Sequence, residues 1–284
     1  MSLPAPDRVA GRPASPGAGS VAGRFSAAFH GFRRSWSRPQ PERETSLRQM
    51  EAALVLLICA SVLATAILAD ARIALEMRTN GPTLVRIFER ITQLGTSGYI
   101  FAISGFLLAG SILLQKRGYG RRCDVALAHL AGRAFFVLAV NAVAGILSQV
   151  LKHLFGRARP KLMDIVGPFH FDFLPWNATY ASFPSGHTIT AFCTAVAISY
   201  FVPRLRWPLL FIALLVALSR VIIGAHYPSD VLAGVAIGIG TAMLMRRAFA
   251  RRALVFRKTA QGIQPRAFGR LWRDLRAPAD QATS

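Results

Sequence analysis

The chain alternates between long apolar stretches and short polar segments. Six stretches approach the roughly 20 consecutive apolar residues that an α-helix needs to cross a bilayer. They lie at residues 52–71, 99–115, 131–151, 188–203, 207–224 and 230–246. A further segment, 82–94, has helical periodicity but carries charges, which predicts a helix lying at the membrane interface. The pattern predicts an all-α fold, a polytopic membrane helix bundle with six transmembrane helices.

The composition is that of a membrane protein. Hydrophobic residues make up 53% of the chain and mean hydropathy is +0.39. Charged residues make up 17%, against about 25% in an average soluble domain. The three cysteines, Cys59, Cys123 and Cys193, lie in or beside apolar stretches without metal-ligand spacing. We interpret them as free packing residues.

The formal net charge of +21 is concentrated at the two ends of the chain. Basic segments that flank apolar helices are typical of cytoplasmic tails attracted to anionic lipid, which argues against a nucleic-acid partner. The sequence therefore divides into a basic, disordered N-terminal tail (1–48), a six-helix membrane domain (49–246) and a basic C-terminal tail (247–284). Aromatic residues at helical spacing in the tails are also compatible with helices lying on the membrane surface.

Basic residues also predict the orientation of the chain. They occur at Lys116, Arg117, Arg121 and Arg122 between the second and third stretches, and at Arg204 and Arg206 between the fourth and fifth. Six spans put these segments and both termini on one side, which the positive-inside rule assigns to the cytoplasm. The loops at 72–98, 152–187 and 225–229 then face outward. Preference for arginine over lysine and abundant alanine indicate a GC-rich bacterial genome, hence an inner membrane with these loops in the periplasm.

Three polar clusters lie in or next to the outward loops. The first, KHLFGRARP at 152–160, includes Lys152, Arg157 and Arg159. Cations at the end of a span are commonly interfacial anchors. Their density on the outward side runs against the positive-inside rule, and a local anion would explain the exception.

The second cluster, FPSGHT at 183–188, begins the fourth stretch. Ser185 suits the N-cap position, so a well-capped helix is one interpretation. The first amides of a helix also bind anions, and Gly186 lets an oxyanion approach the backbone closely. His187 in the first turn is more than a cap requires, which favours an anion site.

The third cluster is SRVIIGAHYPSD at 219–230. Pro228 fits the first turn of the sixth stretch and places Asp230 near the third helical position, where a carboxylate is an ordinary capping partner. His226 lies close enough for Asp230 to hold one ring nitrogen and leave the other free as a nucleophile. Arg220 adds a guanidinium that can bind an anion.

Together the clusters place cations, helix-terminal amides and two histidines on one membrane face. Phosphoryl transfer requires this inventory, because its catalysis consists of positioning, charge stabilisation, a nucleophile and an acid. The spacings K-x6-R-P (152–160), P-S-G-H (184–187) and S-R-x5-H-x3-D (219–230) resemble the signature motifs of the type 2 phosphatidic acid phosphatase family, in the superfamily of the vanadium haloperoxidases. The resemblance extends over about residues 95–246.

The resemblance implies a role for each matching residue. Phosphate oxygens would be bound by Lys152, Arg159 and Arg220 and by the backbone at Ser185 and Gly186. His226, oriented by Asp230, would attack phosphorus and form a phosphohistidine. His187 would protonate the departing oxygen and then activate water. The family's phosphatases need no metal, so the resemblance implies neither a metal site nor a cofactor.

The sequence thus predicts a metal-independent membrane phosphatase that hydrolyses a phosphomonoester or diphosphate of a lipid. Candidate substrates are undecaprenyl diphosphate, phosphatidic acid, phosphatidylglycerol phosphate and lipid A phosphate. The alternatives are a lipid phosphotransferase with an alcohol acceptor, and a non-catalytic lipid-phosphate binder or transporter, which would not need two histidines and an orienting acid. Predicted partners are the lipid substrate and membrane lipids; oligomeric state stays open. Aromatic residues in 161–183 either line a lipid entrance or anchor the loop at the interface.

Overall fold

The computed structural model describes residues 45–115 and 120–266. Within these ranges the chain forms nine α-helices and one β-hairpin. The helices are α1 (Thr45–Leu68), α2 (Asp70–Met77), α3 (Pro82–Thr92), α4 (Ser97–Gln115), α5 (Arg121–Phe155), α6 (Met163–Val166), α7 (Gly186–Ser199), α8 (Arg206–Ile222) and α9 (Pro228–Arg251). The antiparallel hairpin consists of β1 (Phe256–Thr259) and β2 (Gly262–Pro265).

Five helical segments of the described residues are long and apolar enough to cross a membrane. They are Gln49–Leu68, Pro82–Gln115, Cys123–Phe155, Pro203–Ile222 and Pro228–Arg251. The predicted fourth span forms α7, which has 14 residues. At 1.5 Å per residue α7 is about 21 Å long, shorter than the roughly 30 Å hydrocarbon core. The prediction of a membrane helix bundle is confirmed, and the count of six spans stays a prediction.

Helix α3 forms within the segment predicted to lie at the interface. It is followed by a single 3₁₀ turn, Gln93–Gly95, and then by α4. Helix α3 packs against α8. The interfacial position of the segment stays a prediction.

Helix α7 lies at the centre of the bundle, in contact with α5, α8 and α9. On one side Ile189 and Cys193 share a buried cluster with Phe136 of α5. On the other side Phe192 packs with Ala213 of α8. The helix that begins with the predicted anion site is therefore held by its neighbours rather than by lipid.

The close approach of α9 to α7 depends on glycine. A Cβ atom at Gly234 would lie 2.9 Å from the carbonyl oxygen of Ser185, closer than side chains pack. Next to this contact, the Ser185 N–H donates to the carbonyl oxygen of Asp230 at 3.1 Å. The starts of α7 and α9, which carry the second and third polar clusters, are thereby fixed side by side.

The C-terminal boundary differs from the prediction. Helix α9 continues to Arg251, and Phe256 of the hairpin is fully buried with its ring centroid 4.8 Å from that of Phe136. The predicted tail at 247–284 therefore begins with folded structure as far as residue 266, because Phe256 adds to the aromatic core. The hairpin also makes the fold not purely α-helical. Residues 1–44 and 267–284, with most of the predicted tails, lie outside the described ranges.

Candidate active site

The three polar clusters meet at one end of the bundle. They lie at the end of α5, the start of α7 and the turn between α8 and α9. The Lys152 ammonium is 3.4 Å from the position of a Cβ atom built on Gly186. His187 feels the charges of the three predicted cations, Lys152, Arg159 and Arg220, and that of His226. The structure therefore brings the predicted cations and both predicted histidines into one site.

The imidazole of His226 is held by a backbone carbonyl. The residue is 3% exposed, and its Nδ1 lies 2.7 Å from the carbonyl oxygen of Ser182. A carbonyl oxygen only accepts hydrogen bonds, so Nδ1 carries the proton. Nε2 then keeps its lone pair, which is the form that a nucleophilic histidine requires.

The direct contact predicted between Asp230 and His226 is not a hydrogen bond. Asp230 Oδ2 lies 3.8 Å from His226 Nδ1, beyond hydrogen-bonding range. The same oxygen accepts from Ser182 Oγ at 2.5 Å and from the Tyr227 N–H at 2.9 Å. Asp230 occupies the third position of α9, as predicted. Its contacts with His226 are therefore indirect and run through Ser182 and the backbone of Tyr227.

The protonation state of His226 also suits a nucleophile. Burial is the largest effect and lowers the pKa of His226 to about 4, with Arg220 and Arg159 acting in the same direction and Asp230 opposing them. A pKa this far below 7 keeps the ring neutral at physiological pH. A protonated ring would have no lone pair on Nε2.

The amides available to an anion differ from those predicted. The Ser185 N–H is already bonded to the Asp230 carbonyl oxygen, so it is not free for phosphate. Helix α7 begins at Gly186, and the first-turn amides of Gly186 and His187 have no acceptor within the helix. The Ser185 side chain makes no N-cap bond and instead accepts from Thr188 Oγ1 at 2.9 Å. The pair of amides available to an anion is therefore Gly186 and His187, one residue further along the chain than the predicted pair.

Arg220 has a donor left over for a ligand. Its NH1 donates to Thr92 Oγ1 at 2.9 Å, a partner that sequence reasoning missed. Its Nε is buried and has no hydrogen-bond partner among the described residues. An unpaired buried donor costs roughly 1–3 kcal/mol, a penalty that a bound oxyanion would remove.

Arg159 donates from Nε to the Ala178 carbonyl oxygen at 2.9 Å, which connects it to the segment 161–183 with its aromatic residues.

A cavity of about 920 Å³ opens from the site between α4, α5 and α7. Lys152, Gly186 and His187 line its polar end. Most of its remaining wall is apolar and includes Phe101 and Ile146. Trp176 stands at its rim with 93% of its surface exposed.

Two buried charged residues beside the site were not predicted to belong to it. Arg157 donates to Asp230 Oδ1 at 2.7 Å and to Asp70 Oδ2 at 2.8 Å. Asp70 begins α2 and is fully buried. An acid near the end of the first predicted apolar stretch, 52–71, is the sequence signal that marks Asp70, because ionisable groups at membrane depth are commonly functional.

Comparison with known proteins identifies the family. A family model of the PAP2 superfamily matches residues 133–254. A lipid A 1-phosphatase of Rhizobium johnstonii is 34% identical over 169 residues, which cover 57% of this chain and 69% of that protein. The chain belongs to the PAP2 superfamily. PAP2 is the superfamily of the type 2 phosphatidic acid phosphatases, so the resemblance of the three motifs is confirmed.

A second relative and a solved structure support the same family. Phosphatidylglycerophosphatase B of Bacillus subtilis is 29% identical over 170 residues, covering 56% of this chain and 71% of that protein. The crystal structure of a transmembrane PAP2-type phosphatidylglycerolphosphate phosphatase from Bacillus subtilis matches with a TM-score of 0.50 at 26% identity, covering 69% of this chain and 93% of that chain. The predictions of an integral membrane protein and of a phosphatase acting on phosphoric esters are confirmed.

Proposed function

We propose that this PAP2 protein hydrolyses the phosphate or diphosphate group of a membrane lipid through a phosphohistidine at His226, without a metal ion. The observation that carries the proposal is the environment of His226. Its Nδ1 donates to the Ser182 carbonyl oxygen, so Nε2 carries the lone pair. The nearby cations Arg159 and Arg220 act on the same ring and supply the charge that holds a phosphate there.

In the proposed first step, the lone pair of His226 Nε2 forms a bond to phosphorus. The bond from phosphorus to the lipid or diphosphate oxygen breaks, and its electron pair stays on that oxygen, which takes a proton from His187. In the second step His187 removes a proton from water, whose oxygen attacks phosphorus and breaks the N–P bond. Inorganic phosphate leaves and His226 is regenerated.

Several cationic side chains and backbone amides stabilise the negative charge of the phosphate. Lys152 lies beside Gly186, next to the first-turn amides of α7. Arg159 and Arg220 hold further oxygens, and the unpaired Nε of Arg220 gives it a donor for this purpose. These groups are fixed before substrate arrives, so they stabilise the developing charge without reorganising.

The cavity supports a lipid as the substrate. Its polar end contains Lys152 and His187, and its long wall is apolar. A phosphate bound at the polar end would leave the attached hydrocarbon against apolar side chains, in contact with the bilayer. Trp176 at the rim suits contact with the headgroup, because tryptophan favours the membrane interface.

Lipid A 1-phosphate is the first substrate to test. The Rhizobium johnstonii relative with this activity in its name aligns over 69% of its own length. Phosphatidylglycerol phosphate is the second, because Bacillus subtilis phosphatidylglycerophosphatase B aligns over 71% of its length. Both are lipids with a terminal phosphomonoester, which the proposed mechanism removes directly.

We also propose that six helices cross the membrane, with both termini in the cytoplasm and the site on the periplasmic face. Glu51 near the start of α1 forms an ion pair with Arg247 near the end of α9 at 2.5 Å. Ends that meet require an even number of crossings between them. Arg246 stacks over Tyr200 at the same end of the bundle, and the exposed Arg204 follows Tyr200 by four positions in the chain, so basic residues lie opposite the site. This supports a cytoplasmic assignment for that end.

The activity test measures phosphate release by the purified full-length protein from detergent-dispersed lipids. The panel contains lipid A 1-phosphate, phosphatidylglycerol phosphate, phosphatidic acid and undecaprenyl diphosphate. His226→Ala should abolish release from the preferred lipid, while His129→Ala, the same change at the other end of α5, should retain it. Near-normal release by His226→Ala would overturn the nucleophile assignment. Transfer of phosphate to an added alcohol lipid in place of release would identify a phosphotransferase.

The orientation test uses single cysteines in a variant without the three native ones. In sealed right-side-out vesicles, an impermeant maleimide should label Ala178→Cys, next to the site, but not Arg206→Cys, at the opposite end. Both positions are exposed in the structure. Labelling of Arg206→Cys alone would put the active site in the cytoplasm.

A further inference from the structure

A buried ion cluster lies beside His226, and two of its three residues, Asp70 and Arg157, have no role in the mechanism above. We define it as Asp70, Arg157 and Asp230. Arg157 joins both carboxylates, NH1 donating to Asp230 Oδ1 at 2.7 Å and NH2 to Asp70 Oδ2 at 2.8 Å. Ser229 completes it, because its N–H donates to Asp70 Oδ1 at 2.9 Å and its hydroxyl bonds Asp70 Oδ2.

The cluster is buried and its hydrogen bonds are satisfied. The side chains of Asp70 and Asp230 are 0% exposed, and that of Arg157 is 3% exposed. The Arg157 guanidinium also lies over the ring of Tyr227, 4.2 Å from its centroid. Buried ion pairs are weak contributors to stability, since desolvation offsets their attraction. A cluster of this kind next to a catalytic ring therefore points to a role in the reaction.

The cluster reaches His226 by two short routes, both through Asp230 Oδ2. On one route Ser182 Oγ donates to this oxygen, and the carbonyl of the same Ser182 accepts the proton of His226 Nδ1. On the other route the N–H of Tyr227, the residue after His226, donates to it. A displacement of Asp230 would therefore move both supports of the imidazole.

The charge of the cluster suits the proposed chemical step. Two carboxylates share one guanidinium, so the cluster has one negative charge in excess. When Nε2 of His226 bonds to phosphorus, the ring keeps its Nδ1 proton and gains a positive charge. That charge forms 3.8 Å from Asp230 Oδ2. An opposite charge at this distance, between two buried side chains, stabilises the ring only after the N–P bond has begun to form.

We propose that the buried ion cluster is the counter-charge for formation of the phosphohistidine, and that Asp70 and Arg157 are positioning residues for the reaction. Asp70 brings the connection between α1 and α2 into the active site, although that connection lies outside the three motifs. Arg157 holds Asp230 at the spacing from which it acts on His226. The inference rests on the proposed role of His226 as the nucleophile.

The principal test is Asp70→Asn, which keeps the shape of the side chain and removes the excess negative charge. We expect kcat to fall by about 10- to 100-fold and KM to change by less than about threefold, because the lost interaction exists only once the N–P bond forms. The matched control is Asp164→Asn. Asp164 pairs with Arg78 at 2.5 Å, is largely exposed and, among the described residues, forms no hydrogen bond or ion pair with the cluster, so the kcat of this variant should stay at the wild-type value.

Two inhibitors separate a charge effect from simple damage to the site. Vanadate mimics five-coordinate phosphorus bonded to His226, whereas inorganic phosphate binds to the cations without that bond. In Asp70→Asn the Ki of vanadate should rise by the same factor as kcat falls, while the Ki of phosphate stays unchanged. An unchanged kcat, or an equal rise of both Ki values, would overturn the proposal.

Arg157→Lys provides an independent test should Asp70→Asn fail to fold. Lysine keeps the positive charge but cannot hold two carboxylates with a planar fork. We expect the same parallel loss of kcat and vanadate affinity, and wild-type behaviour would overturn the proposal. His226→Ala serves as the reference. If His226→Ala is inactive and the cluster variants behave like the wild type, only the role proposed for the cluster is wrong. If His226→Ala is active, the assignment of His226 as the nucleophile is wrong.

Discussion

The contact between Gly234 and the start of α7 provides a quantitative test of how the amides proposed to bind phosphate are positioned. A Cβ atom at Gly234 would lie 2.9 Å from the Ser185 carbonyl oxygen and 3.0 Å from Thr188 Cβ. Both contacts are with groups that cannot swing aside, because one is backbone and the other is the root of a side chain. In Gly234→Ala, the first turn of α7 must retreat by about 0.5 Å to restore ordinary contact.

A shift of this size should be visible in catalysis. Displacing reacting groups by about 1 Å lowers rates by roughly 100-fold, so about 0.5 Å predicts a loss of kcat/KM near tenfold. Overpacking costs about 1–3 kcal/mol, partly offset by the roughly 1 kcal/mol by which alanine favours a helix over glycine. The net loss should lower the melting temperature by a few degrees.

The matched control is Gly240→Ala in the same helix, where an added Cβ would meet nothing within 4 Å. It gains the helix propensity without the clash, so its activity should be unchanged and its melting temperature equal to or above that of the wild type. The assays are lipid phosphatase kinetics and thermal unfolding in detergent. Wild-type activity and melting temperature in Gly234→Ala would refute the close approach of α9 to α7.

Three further predictions concern the chemistry. His187→Ala should lower hydrolysis of the natural lipid by about 10²- to 10⁴-fold, and much less for an aryl phosphate whose leaving group needs no proton; equal losses would remove the acid role of His187. Activity should survive excess EDTA while vanadate inhibits, because cationic side chains supply the positive charge, and restoration by magnesium after EDTA would contradict this. The pH profile of kcat/KM should be bell-shaped, because His226 must be neutral to attack and His187 must be protonated to donate. Its acid limb should lie well below 6.5, because the pKa of His226 is lowered to about 4 and the neutral, nucleophilic form is lost only as pH falls through that value. An acid limb at the ordinary histidine value would mean that another group is the nucleophile.

The sequence predicted the membrane helices because the signal for them is local. A span must be apolar over consecutive residues, since lipid offers no partner for polar groups. Each long apolar stretch can therefore be recognised from the sequence alone. The predicted positions of Pro228 and Asp230 at the start of α9 were correct for a similar reason. Caps and first-turn residues are fixed by their immediate neighbours in the chain. The short α7 is the exception, because its burial by other helices is not a local property.

The residue types of the candidate site were also readable from the sequence. Lys152, His187 and His226 all follow or begin apolar stretches, and the structure gathers them at one end of the bundle. Polar groups are expensive at membrane depth, so their presence there indicates a site without knowledge of the fold. The spacing within each cluster then identified the superfamily.

The partners of these residues were decided only by tertiary structure. The bond from His226 to the Ser182 carbonyl spans 44 positions in the chain, and that from Arg157 to Asp70 spans 87. Sequence spacing favoured Asp230 as the partner of His226, because the two lie four positions apart in the chain. In the folded protein the ring of His226 instead bonds the carbonyl oxygen of Ser182, and Asp230 bonds the hydroxyl of the same Ser182. Local propensity selects the helices and their polar ends, whereas which donor meets which acceptor depends on how the helices pack.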